Sequence, residues 1–252
     1  MALSVRYTKP NIMTERFEQT ETSQAKNVDF FLNQLDGYAS SVGEIDTYQN
    51  ISKALTIELA GIHRLLDIGN GGVFDYDTSV VGHVTGLDLF LDKLPADRVY
   101  PKNVNMERGD ALAIPKDDQI YDGVVMVMLL HHLVGSTVAQ CLANLERALQ
   151  EAHRVLRPGG KLVIVESCVP SWFYKMERLA FRAAVPVINR FFIHPPAFQY
   201  TIGRIAGILE GLFGAKPDIA HIPKGKYVLQ LGLRVPSVLT PVQPYLIKIK
   251  KE

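Results

Sequence analysis

The chain has little cysteine: Cys141 and Cys168 are the only two in 252 residues. Two cysteines cannot make a disulfide framework, and both fall in segments patterned like a core helix and a strand end. The expectation is reduced thiols in the cytoplasm. Neither sign of charge dominates, with 27 Lys and Arg against 26 Asp and Glu. That balance excludes a polyelectrolyte and argues against nucleic acid as the main partner. There is no long apolar run either. The most apolar stretches, Gly123–Val134 and Leu179–Ile193, are short or broken by His131, His132, Arg182, Asn189 and Arg190, so no stable membrane span is expected. Met1 to Asn27 lacks the apolar centre of a secretory signal. No internal repeat is visible, and no His/Cys/Asp cluster has metal-ligand spacing, so no metal is expected.

What is present is enough apolar residue, 47%, for one sizeable core. Residues 1–60 read as a helical cap, with helices predicted over Ser23–Leu35 and Thr47–Leu59. From residue 61 short apolar runs predict strands at His63–Ile68, Gly82–Leu89, Asn103–Arg108, Gly123–Leu129, Lys161–Val165, Lys216–Ile222 and Tyr245–Lys250. The clearest helix is Thr137–Leu156, where Val138, Cys141, Leu142, Leu145, Leu149, Ala152 and Val155 recur at steps of three and four behind a Ser136/Thr137 cap. Strands alternating with helices imply an α/β fold, a mostly parallel sheet with helices on both faces. Residues 169–201 are aromatic and proline-rich, and are expected to be a long irregular lid or a helical insertion that completes the core. A last helix over Ile202–Phe213 carries Gly203, Gly207 and Gly211 on one face. Glycine there costs about 1 kcal/mol each relative to Ala, so close packing on the sheet is the expected gain.

The informative segment is Leu65-Leu66-Asp67-Ile68-Gly69-Asn70-Gly71-Gly72. A strand running into Gly-x-Gly lets backbone approach a ligand at the carboxyl edge of an open sheet. The next strand ends in Gly86-Leu87-Asp88, with Asp88 19 residues after Gly69, close to the spacing at which a carboxylate meets a ribose hydroxyl. Gly109-Asp110-Ala111 follows the third strand, where an acidic side chain and a backbone amide can read an adenine edge. A dinucleotide and another adenosine ligand both remain open at this point. Phe74 stands where a dinucleotide fingerprint needs its third glycine, and no Tyr-x-x-x-Lys pair exists for short-chain hydride chemistry. Asp67 would repel a pyrophosphate and attract a cationic amino-acid end, which favours S-adenosylmethionine.

Four motifs in order carry a resemblance. They are Leu66-Asp67-Ile68-Gly69-Asn70-Gly71; Thr85-Gly86-Leu87-Asp88; Gly109-Asp110-Ala111 with Tyr121-Asp122-Gly123-Val124-Val125; and Leu129-Leu130-His131-His132-Leu133, followed by Glu151 to Gly160. From Leu65 to Val165 the chain resembles class I S-adenosylmethionine-dependent methyltransferases, of the branch similar to ubiquinone/menaquinone-biosynthesis and natural-product enzymes. The resemblance implies a Rossmann-like seven-stranded, mostly parallel sheet with helices on both faces and a helical lid. It implies S-adenosylmethionine as cofactor, S-adenosylhomocysteine as product, and a small, apolar or aromatic acceptor methylated on O, N or C. By it, Asp67, Gly69, Asn70 and Gly71 would hold the methionine end, Asp88 the ribose and Leu89 the adenine face. Asp110 and Ala111 would meet the adenine edge, and Met128 would line the cofactor near the fourth strand.

One departure stands out: Val73 occupies the family's third glycine position, and Val73 to Asp77 is a poor opening for the helix that usually follows. His131, His132 and Glu166 are the candidate catalytic residues, at the ends of the fourth and fifth strands, with only one histidine expected to face the acceptor. His194 and Tyr200 are weaker candidates. Rival readings are a non-methylating cyclisation or rearrangement in the same fold, and a degenerate binding protein that dimerises through the Gly203/Gly207/Gly211 face.

Overall fold

A computed structural model describes residues 46–94, 97–191, 197–230 and 233–252. The helix expected over Ser23–Leu35, and His194, lie outside the described residues. The chain begins with α1 (Asp46–Leu59), then β1 (Arg64–Ile68), β2 (His83–Asp88), β3 (Val104–Arg108) and β4 (Tyr121–Val127). It continues through α2 (Val138–Val155), β5 (Leu156–Cys168), α3 (Ser171–Phe191) and α4 (Ile202–Phe213). β6 (Asp218–His221), a separate hairpin of β7 (Tyr227–Gln230) and β8 (Leu233–Pro236), and β9 (Gln243–Lys250) complete it.

Seven strands form one sheet in the order β3-β2-β1-β4-β5-β9-β6. The first five pair in parallel, and β9 runs antiparallel between β5 and β6. The central strands β1, β2, β4 and β5 are mostly buried on both sides because both sides are covered. Along β1, Leu65 packs with α1 residues Ile51, Leu55 and Leu59, while Leu66 and Ile68 join the α2 and α4 side through Leu145, Leu149 and Leu209. The period-two alternation of a strand thus divides one apolar run between two cores. α2 is capped as its sequence suggests, with the Thr137 hydroxyl accepting from Gln140 N at 3.2 Å. α4 starts at Thr201 and ends at Gly214 in the left-handed region.

Of the two forms expected for residues 169–201 the structure shows the helical one, and two other expectations need correction. Ser171–Phe191 is one helix, with Tyr174 and Phe181 packed towards Phe198. Pro170 precedes it and Pro195 and Pro196 follow it, so most of the breakers lie outside its ends. The α4 glycines do not pack on the sheet. Ile205, Leu209 and Phe213 do, and a Cβ built on Gly203, Gly207 or Gly211 meets nothing within 4 Å. Finally, Arg157 to Gly160 does not separate α2 from the strand but belongs to β5, through an irregular register between Tyr121 and Gly123.

The β1–β2 connection explains the departure at Val73. Only a short 3-10 turn, Thr78–Val80, lies between these strands, and Tyr76 and Val81 fill the space beside α1. Fourteen residues, 69 to 82, are near the minimum for a parallel crossover. The site edge is therefore built from loops there rather than from a helix.

Candidate functional site

The carboxyl ends of β1, β2 and β4 lie side by side, with Ile68 in register with Leu87 on one side and Met126 on the other. β1 delivers Asp67 and then turns sharply at Gly69. Gly69 has φ +72°, and an added Cβ would sit 2.5 Å from the Leu129 side chain, so only glycine fits. Its N–H donates to Leu87 O at 2.7 Å, which ties the turn to β2. Gly71 N then donates to Asp88 Oδ2 at 2.9 Å, and Phe90 N donates to Asp88 Oδ1 at 2.9 Å. A carboxylate offers about four lone-pair sites, so Asp88 still has acceptor capacity after these two bonds.

Asp67 is 1% exposed. Tyr76 Oη donates to its Oδ2 at 2.9 Å, but among the described residues Oδ1 has no hydrogen-bond partner. Asn70 Nδ2, beside it, is likewise buried without one, while Asn70 Oδ1 accepts from Gly72 N at 2.8 Å. Burial pushes the Asp67 carboxyl up to about 7; the Asn70 amide and the Tyr76 hydroxyl pull against it, and the charges of Asp75 and Asp88 add to the rise. A buried carboxylate oxygen without a donor is costly in the absence of a ligand and is matched by a cationic or N–H-bearing one. Asp67, Asn70, Gly71 and Asp88 therefore form one cluster. Asp110 holds a turn of its own just beyond β3, accepting from Leu112 N at 2.8 Å, with Ala111 nearly buried beside it. Leu89 is half-buried after β2. Met128 stands at φ +51°, an uncommon conformation for a non-glycine residue, directly after β4.

A second cluster occupies the ends of β4 and β5. Glu166 is fully buried, and its Oε2 accepts from Leu130 N at 2.8 Å and His131 N at 3.3 Å. Its Oε1 meets His131 Nδ1 at 2.6 Å and Ser167 N at 2.6 Å. Because a carboxylate only accepts, His131 donates from Nδ1 and its proton-accepting nitrogen is Nε2. The His131 and His132 rings lie 4.1 Å apart and tilted. Tyr200 is core, 1% exposed, with Oη donating to Cys141 O at 2.9 Å.

Spacing gave no sign of two residues. Tyr76, the partner of Asp67, sits in a loop with no motif. Glu177 of α3 accepts from Gln199 N at 3.2 Å with each oxygen, and burial pushes it up to about 7, against that bond and the nearby His131. Its signal was available: it is the one acid on a helix with four cations, Lys175, Arg178, Arg182 and Arg190.

Residues 66–164 match the methyltransferase domain family. Demethylmenaquinone methyltransferase of Staphylococcus haemolyticus is 31% identical over 116 residues, which cover 44% of this chain and 45% of that one. The Listeria welshimeri enzyme of the same name is 30% identical over 119 residues, 44% of this chain and 46% of that one. The chain thus spans about half the length of these relatives. Among solved structures, Burkholderia thailandensis 1,6-didemethyltoxoflavin-N1-methyltransferase, bound to 1,6-didemethyltoxoflavin and S-adenosylhomocysteine, shares the fold with a TM-score of 0.58. It is 16% identical, and the match covers 99% of this chain and 93% of that one. A Thermotoga maritima methyltransferase gives a TM-score of 0.56 at 15% identity, over 88% and 97% of the two chains. Residues 66–164 thus match the methyltransferase domain family, and the chain shares the Rossmann-like fold of these solved methyltransferases.

Proposed function

We propose that this chain transfers a methyl group from S-adenosylmethionine to an O, N or C atom of a small acceptor. The observation that carries the reading is the unpartnered, buried Oδ1 of Asp67 beside the Gly69–Gly71 turn, in reach of Asp88. These residues fit the cofactor. Asp67 Oδ1 would accept from its ammonium group, the open space at Gly71 would admit its amino-acid end, and Asp88 would take the ribose hydroxyls. Leu89, Asp110, Ala111 and Met128 would enclose the adenosine part. When bound, the cofactor supplies an electrophilic methyl group on a sulfonium.

The remaining work belongs to this chain's side chains. Methyl transfer is an in-line displacement, so holding the acceptor in line contributes most of the acceleration. In this reading His131 Nε2 takes the acceptor's proton, Glu166 acts as a positioning residue that fixes the His131 tautomer, and His132 packs against the ring. The demethylmenaquinone and toxoflavin names among the similar proteins support a small aromatic acceptor. Phe181, Phe198 and Tyr200 are buried in the core, which leaves fewer lid aromatics for the acceptor than their number in the sequence suggests. We also place the protein in the cytoplasm, on its two free, buried cysteines; among the described residues no helix is long and apolar enough to cross a membrane. Calorimetry tests the reading: S-adenosylhomocysteine should bind the full chain, and no heat at millimolar ligand would refute it.

A further inference from the structure

Among the described residues, helix α3 carries an apolar ridge that packs against nothing else in the protein. Trp172 is 58% exposed, Met176 60% and Leu179 89%. At 100° per residue these three fall within an arc of about 60° on the helix surface. Phe181 and Tyr174 fall on the opposite side, and both pack on Phe198. Lys175 and Arg178 are exposed and form one flank of the ridge. Glu177, the only acid of the helix, is turned inward, held by Gln199 N. Four cations against one inward acid make α3 strongly basic, in a chain whose net charge is only +1.

We infer that α3 docks on an anionic lipid bilayer, lying in the interface with Trp172, Met176 and Leu179 among the acyl chains and Lys175 and Arg178 against the headgroups. An apolar ridge with an aromatic anchor, a basic flank and no outward acid is the pattern of a helix that lies on a membrane rather than spanning one. Charge complementarity selects the occupant. A neutral apolar partner would satisfy the ridge and gain nothing from the cations, whereas an anionic bilayer satisfies both. The inference goes beyond methyl transfer and does not rest on it, since vesicle binding is read without cofactor. It gives the protein a place to meet an acceptor that partitions into lipid.

Trp172 is the only tryptophan in the chain, so its emission reports this face directly. The full chain is titrated with phosphatidylcholine vesicles, with and without phosphatidylglycerol, and followed by emission and by co-sedimentation. The expected result is a blue shift and pelleting with the anionic vesicles only, reversed by salt. Lys175→Gln and Arg178→Gln should each weaken binding about fivefold. Leu179→Gln, at a solvent-exposed position, should weaken it by about fivefold or more with the fold intact. Unchanged emission with the chain left in the supernatant would overturn the inference, as would equal binding to neutral vesicles. Emission already blue without lipid would overturn it too: if concentration-dependent it assigns the face to a second copy, and if not, to residues 1–45.

Discussion

Two buried carboxylates stand at carboxyl ends of the same sheet and are treated in opposite ways. Glu166, on β5, accepts five hydrogen bonds, three of them from backbone N–H groups. Among the described residues Asp67, on β1, accepts one, from Tyr76, and keeps a buried oxygen with no donor. Burial alone therefore says little about role. A carboxylate whose lone pairs are all taken organises the chain around it, whereas one left short of donors is set to take a further one.

Removing each carboxylate should move stability in opposite directions. Glu166→Ala strands three buried N–H groups and the His131 ring, and should cost roughly 3–5 kcal/mol in urea denaturation. A loss below about 1 kcal/mol would erase the contrast. Asp67 should show the reverse through pH. Its carboxyl is raised from 3.8 to about 7 in the folded chain, so its favourable contribution is complete below pH 4 and is lost as pH climbs through about 7. The loss amounts to as much as about 4 kcal/mol. Asp67→Asn should flatten that decline and be more stable than the parent above pH 7. Glu177, at about 7, and Asp75, pushed by burial to about 6, titrate in the same window, so the difference between parent and variant is the quantity to measure.

A smaller change sharpens the comparison. Tyr76→Phe removes the hydroxyl that donates to Asp67 Oδ2 and should cost about 1–2 kcal/mol while raising the Asp67 pKa further. A pKa that falls instead would show Asp67 to be held by groups other than Tyr76. The smallest effect calibrates the rest. Gly207 is distant from both clusters in the chain and faces open space, so Gly207→Ala should raise thermal stability by about 0.5–1 kcal/mol with no change in pH slope.

The centre of the sheet was legible because strands buried on both faces write continuous apolar runs, and β1, β2 and β4 appear within a few residues of their expected ends, whereas the short β7–β8 hairpin gave no such run. Asp67, Asn70, Gly71 and Asp88 were legible because a glycine turn between parallel strands leaves few geometries open. The Glu166 network was not. It joins residues 35 and 36 positions apart through backbone N–H groups, which carry no side-chain signature. The α4 glycines misled because spacing shows which residues share a face but not which face is buried. Tyr76 escaped because the crossover lost its helix, and its periodicity went with it.

The central claim is that Asp67 keeps its oxygen for a cationic ligand. Calorimetry of S-adenosylhomocysteine binding near pH 7, repeated in buffers of different ionisation heat, tests it most directly. Binding of a cation at Asp67 should release a proton from the carboxyl, tighten as pH rises, and weaken roughly tenfold or more in Asp67→Asn. Binding without proton release and untouched by Asp67→Asn, or no binding at all, would contradict the account.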